Sequence, residues 1–170
     1  MATLHVCALS KIEETVNAVR ARSLMTLIGT QSIVRRPAAV SAGDHLHIVM
    51  SDIVAPMDGQ ILPAEAHIAD VLRFVRAWDQ AAPLVIHCFA GVSRSTAAAF
   101  ITACALNPAR SEEELANIIR ARSPTATPNS RMVALADAAL GRGGRMVRAV
   151  ESIGRGADCF EGVPFQLELR

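Results

Sequence analysis

Two apolar runs of strand length stand near the start of the chain, LHVCAL at Leu4 to Leu9 and LMTLIG at Leu24 to Gly29. Between them KIEETVNAVRARS sets Ile12, Val16 and Val19 at helical spacing, so the opening reads strand, helix, strand. HLHIVM, His45 to Met50, alternates Leu46, Ile48 and Met50 with His45, His47 and Val49 and predicts a third strand, which runs into SDIVAPMDG with Pro56 and the turn pair Asp58-Gly59. From Pro63 the period becomes helical, with Ile68, Val71, Leu72, Val75 and Trp78 on one face. PLVIHC then predicts a buried strand, FAGVSR a loop, and STAAAFITACAL a helix of small and apolar residues. SEEELANIIRARS carries a capping-box pattern at Ser111 and Glu114, TPNSRMVALADAALG makes a further helix closed by Gly141, and GRGGR leads to a short helical piece and an irregular tail.

Strands alternating with helices predict an α/β fold: one domain over residues 1–170, with a mainly parallel central sheet flanked by helices. A chain of 170 residues buries roughly two-thirds of its unfolded surface, enough for one core. In such sheets sites lie beyond the carboxyl ends of the strands.

Composition narrows the functions. The net charge is +1, from 17 basic and 16 acidic residues, and Lys11 is the single lysine, which argues against nucleic-acid binding by bulk charge. Cys7, Cys88, Cys104 and Cys159 form no C-x-x-C pair, so neither a zinc knuckle nor a disulfide framework is indicated. The spacing of His45 and His47 gives only a weak metal signal, and no cofactor is implied. No apolar segment is long enough to span a bilayer, and the expected location is cytoplasmic.

Cysteine and arginine recur at one interval twice, Cys88 with Arg94 and Cys104 with Arg110. Roughly 0.4 such matches arise by chance in a chain of this composition, so the interval alone decides nothing. The second pair contains Pro108, has no glycine, and sets its cysteine near the end of a helix. Around Cys88 the neighbours agree with anion binding. Gly91 and the small Ala90 and Ser93 let the amides from Phe89 through Val92 to Ser93 turn inward, and the next helix presents its positive end there. That field stabilises a thiolate. Arg94 offers a planar fork to two phosphate oxygens, Ser95 could hydrogen-bond the sulfur as a leaving group, and His87 could pin the loop.

HCFAGVSRS, His87 to Ser95, resembles the signature of the cysteine-dependent protein tyrosine phosphatases, closest to the dual-specificity branch. The resemblance implies metal-independent hydrolysis of phosphomonoesters through a phosphocysteine, with Cys88 as nucleophile, Arg94 as phosphate clamp and Ser95 assisting breakdown. It also implies an upstream aspartic acid as general acid. Asp52, directly after the HLHIVM strand, is favoured, and Asp58 is the alternative. The W-P-D loop of the tyrosine-specific members is missing, so a deep phosphotyrosine pocket is not implied. TPNSRMVAL resembles the segment supporting the phosphate loop; Asn129 would then bond the loop backbone, or else simply cap its helix. The expected partner is a phosphorylated protein or a small phosphoester, with oligomeric state open. A sulfurtransferase and a catalytically silent phosphopeptide-binding module are the rival readings.

Overall fold

The computed structural model describes residues 2–169. Five strands, β1 (Thr3–Ala8), β2 (Ser23–Ile28), β3 (His45–Val49), β4 (Leu84–Cys88) and β5 (Phe165–Glu168), form one sheet in the order β3-β2-β4-β1-β5. The pairs β3-β2, β2-β4 and β4-β1 are parallel, and β5 runs antiparallel to β1. Six helices flank it: α1 (Ile12–Val19), α2 (Glu65–Ala77), α3 (Arg94–Leu106), α4 (Glu112–Arg122), α5 (Ser130–Ala139) and α6 (Arg145–Ile153). The α/β architecture expected from the alternation of elements is the one observed.

The strand pattern explains the layering. Every residue of β4 is buried, as a central parallel strand covered on both faces requires. Leu84, Ile86 and Cys88 face the larger core with Val6, Met25, Leu27 and Phe100, beneath α2 to α6. Val85 faces the smaller core with Cys7, Leu24, Ile12 and Val16, beneath α1 and Val40. The Ala-rich run of α3 is buried from Arg94 to Cys104, which lets this helix lie deep in the larger core.

Some elements differ from the sequence pattern. The tail expected to be irregular contains β5, whose pairing runs from Thr3–Glu168 to Val6–Phe165 and covers the edge of β1. Trp78, placed on the face of α2 by its spacing, falls just past that helix in extended backbone. It stays buried there, its Nε1 donating to Ala82 O at 3.2 Å, and shares a hollow with Ser23 and Asp44 at the amino ends of β2 and β3. Cys159 is exposed, whereas Cys7, Cys88 and Cys104 are buried.

Candidate active site

The strand-loop-helix unit β4, Phe89–Ser93, α3 carries the first Cys/Arg pair at the carboxyl end of the sheet. Gly91 has φ +72°, and a Cβ there would come within 2.8 Å of the backbone of Cys7 and Ala8. Only glycine lets the loop turn this tightly against β1. The loop carbonyls are taken from outside: Phe89 O by Leu9 N at 3.0 Å, Ala90 O by Gly162 N at 2.8 Å, and Val92 O by Thr127 N at 2.9 Å. Ser93 O accepts from Ala97 N at 2.9 Å and from Asn129 N at 3.3 Å. With the carbonyls held outward, the amides of the loop are left to its interior, the arrangement of an anion nest.

Inside the loop, Cys88 Sγ lies 3.1 Å from Ser95 Oγ, and both residues are buried. Arg94 Nη1 donates to Met50 O at 2.8 Å, which anchors the guanidinium to the end of β3. Its Nε is buried and has no partner among the described residues. A buried guanidinium donor left open beside an amide nest is suited to an oxyanion. His87 is fully buried behind the nucleophile position, with Nδ1 3.1 Å from Cys88 O and Nε2 2.7 Å from Thr26 Oγ1. Burial pushes its pKa down to about 4, so the ring is neutral at pH 7.

The sweep from β3 to α2 brings the acid over the loop. Ser51 N donates to Ile61 O at 2.8 Å and Ile61 N to Ser51 Oγ at 3.1 Å, closing the neck of a surface loop. Asp52, at that neck, accepts from Ser93 Oγ at 2.7 Å and from Asn129 Nδ2 at 2.9 Å. Asp58 sits in an exposed turn with Gly59 at φ +71° and, among the described residues, makes no hydrogen bond to the phosphate loop.

Asn129 departs from the expected alternatives. Its Oδ1 caps α5 by accepting from Met132 N at 3.0 Å, while its Nδ2 reaches Asp52 and Ile53 O rather than the loop backbone. The bond to the loop comes instead from its main-chain N–H. The side chain thus ties the acid to α5.

The twin motif is taken apart. Cys104 is buried, and burial pushes its thiol up to about 12. Arg110 pairs with Glu114 at 2.6 Å, and the carbonyl of Cys104 is held by Arg142 Nη2 at 2.7 Å. Arg35 and Arg36 are exposed, the latter bonded to the carbonyl of Val40. Among the described residues no three His, Cys, Asp or Glu side chains gather as a metal site. His45 and His47 stack, with ring centroids 5.7 Å apart, and His45 Nε2 is engaged by Thr26 Oγ1 at 2.8 Å.

Residues 56–132 match the family model described as Protein-tyrosine phosphatase, a span containing β4, the loop and α3. Over that span the chain is similar to the protein tyrosine phosphatases. Its fold is that of the dual-specificity members. The crystal structure of DUSP15 superposes with a TM-score of 0.64 at 16% identity, over 89% of this chain and 92% of that one. Human DUSP28 gives a TM-score of 0.62 at 16% identity, over 82% and 94%. The PTP-2 phosphatase of Cydia pomonella gives 0.62 at 20% identity, over 79% and 84%. No curated protein matches the sequence significantly.

Proposed function

We propose that the protein is a single phosphatase domain over residues 1–170 that hydrolyses phosphomonoesters through a Cys88 phosphocysteine, without a metal. The observation that carries this reading is the buried, unpartnered Nε of Arg94 beside the Cys88–Ser95 pair and the amide nest. In the first step Cys88 Sγ bonds to phosphorus as the P–O bond to the leaving group breaks, and Asp52 gives that oxygen its proton. In the second, Asp52 takes a proton from water, whose oxygen bonds to phosphorus. The S–P bond breaks with its electron pair on sulfur, to which Ser95 Oγ–H donates. Arg94 and the amides of Phe89 to Ser93 hold the phosphoryl oxygens throughout. Ser93 and Asn129 aim the Asp52 carboxylate over the loop.

For the substrate, a phosphorylated protein is supported by the surface around the loop. Among the described residues the exposed large hydrophobic residues are Val49, which ends β3, and Ile33, Val54, Met57, Ile61, Phe89, Phe160 and Val163, which belong to segments that follow β2, β3, β4 or α6; none lies on an outer helix face. The segment carrying Phe160 and Val163 is joined to the loop through Gly162. Apolar side chains rimming a phosphate cradle suit residues flanking a phosphorylated side chain. A cytoplasmic location is supported by four unpaired cysteines, and among the described residues no helix is long and apolar enough to cross a membrane.

The experiment is hydrolysis of p-nitrophenyl phosphate with and without chelator, with acid trapping of a phosphoenzyme. Turnover indifferent to chelator, with label on Cys88, is expected. Turnover lost to chelator, or no label on Cys88 in an active enzyme, overturns the mechanism.

A further inference from the structure

Three neighbouring strands carry a continuous polar chain behind the phosphate loop. Thr26 of β2 pairs directly with His87 of β4, and His45 lies at the start of β3 on the other side of β2. Alternation puts Thr26 and His87 on the sheet face opposite Met25, Ile86 and Cys88. The chain runs from half-buried His45 through Thr26, which is fully buried, to His87 and the carbonyl of Cys88.

We propose that Thr26 and His45 are positioning residues that hold His87 as the neutral Nδ1–H tautomer, with that N–H on the carbonyl of the nucleophile. Each link follows from what its neighbour can do. The Cys88 carbonyl only accepts, so Nδ1, 3.1 Å away, carries a proton. His87 is neutral in its buried position, so Nε2 is bare and must accept. Thr26 Oγ1, 2.7 Å from Nε2, gives it its only proton. Having donated, Thr26 can only accept from His45, so His45 Nε2, 2.8 Å away, is the protonated nitrogen of that ring. Burial pushes His45 down to about 4 as well, which leaves it one ring N–H to place. The opposite direction would set the lone pairs of Nδ1 and the carbonyl against each other. A group at the edge of the sheet thus fixes the proton on the ring that braces the active-site cysteine. The kinetic consequence rests on the phosphatase reading; the proton assignment does not.

The test is 15N NMR of the histidine rings at pH 7, joined to kinetics. In the unsubstituted protein His87 should show a protonated Nδ1 and a bare, hydrogen-bonded Nε2. His45→Gln keeps a donor toward Thr26 and should leave this signature intact. His45→Glu, of the same size, offers only acceptor oxygens. It should draw the Thr26 proton outward and drive His87 to take a second proton on Nε2. Thr26→Val should lower kcat about fivefold, the loss of one buried hydrogen bond, with KM nearly unchanged, and Thr26→Ser should restore it. His87 found as the Nε2–H tautomer, or doubly protonated, in the unsubstituted protein would overturn the proposal even if no substituted protein folded. Identical His87 spectra for His45→Gln and His45→Glu would do the same. Equal kcat for Thr26→Val and Thr26→Ser would refute the positioning role. An inactive protein with the expected spectra would refute the phosphatase reading while leaving the proton chain standing.

Discussion

The carboxylate of Asp52 accepts a hydrogen bond from the hydroxyl of Ser93 at 2.7 Å, across 41 residues of chain. The residue that would protonate the leaving group is therefore held by the loop that would hold the phosphoryl group.

That contact predicts how the two aspartates separate. Asp52→Asn should lower kcat by roughly 10²- to 10⁴-fold for a phosphotyrosine peptide and less for a nitrophenyl ester, whose leaving group needs a proton less. Asp58→Asn should cost under about tenfold, since it disturbs only an exposed turn. Steady-state rates on the two substrates decide it; a larger loss from Asp58→Asn would move the acid to that turn.

The two cysteines should separate as sharply. Cys88→Ser should reduce turnover by more than about 10³-fold while vanadate still binds, because Arg94 and the amides stay in place. Cys104→Ser should change kcat less than about twofold. Cys104 should also resist iodoacetamide in the folded protein, since it is buried with its thiol raised to about 12. Mass spectrometry of the alkylated protein checks this directly.

Acidification should unfold the protein through its histidines before its carboxylates. His87 is held neutral, its pKa lowered from 6.5 to about 4 by burial. A depressed folded value means that the unfolded chain binds the proton more readily. The stabilisation is therefore complete above about pH 6.5 and falls as the pH drops toward 4. For His87 this amounts to up to about 3 kcal/mol. Urea unfolding between pH 7 and 4 should show the decline, and His87→Gln should make it shallower, leaving the share that His45, also lowered to about 4 by burial, contributes over the same range.

Gly162 predicts a role for the tail. Its N–H holds Ala90 O, and a Cβ there would stand 3.0 Å from Gly91 O and 3.3 Å from Thr125 Oγ1. Gly162→Ala should lower kcat about three- to tenfold through displacement of the loop, with a stability loss of about 1 kcal/mol. Activity and thermal melts together measure it; unchanged kcat would show that the loop stands without this brace.

Glu112 should depend on its arginines. It is buried and paired with Arg142 at 3.0 Å and Arg145 at 3.2 Å, and Arg142 also holds Cys104 O. Arg142→Met should cost about 1–3 kcal/mol in urea unfolding by leaving acceptors unpaired, with kcat intact.

What could be read in the sequence follows from how far each contact reaches. Cys88, Arg94 and Ser95 are contiguous with a buried strand and a helix, so local pattern placed them together. Asp52 could be named because it stands directly after β3, although its partners Ser93 and Asn129 could not. Thr26 was visible only as a hydroxyl in an apolar run; its bonds to His87 and His45 depend on strand register, which periodicity leaves open. β5 escaped because it has four residues, two of them exposed, behind a stretch dominated by Gly154, Gly156, Gly162 and Pro164. The bond from Gly162 to Ala90 O has no sequence signal.

Trp78 gives the molecule a built-in reporter. The chain has one tryptophan and no tyrosine, so near-ultraviolet emission comes almost wholly from this indole. It is packed at the amino ends of the strands, the pole opposite the phosphate loop. Its fluorescence should therefore follow opening of the core and stay silent to oxyanions in the cradle. Unfolding and ligand occupancy can then be followed as separate optical signals in one sample.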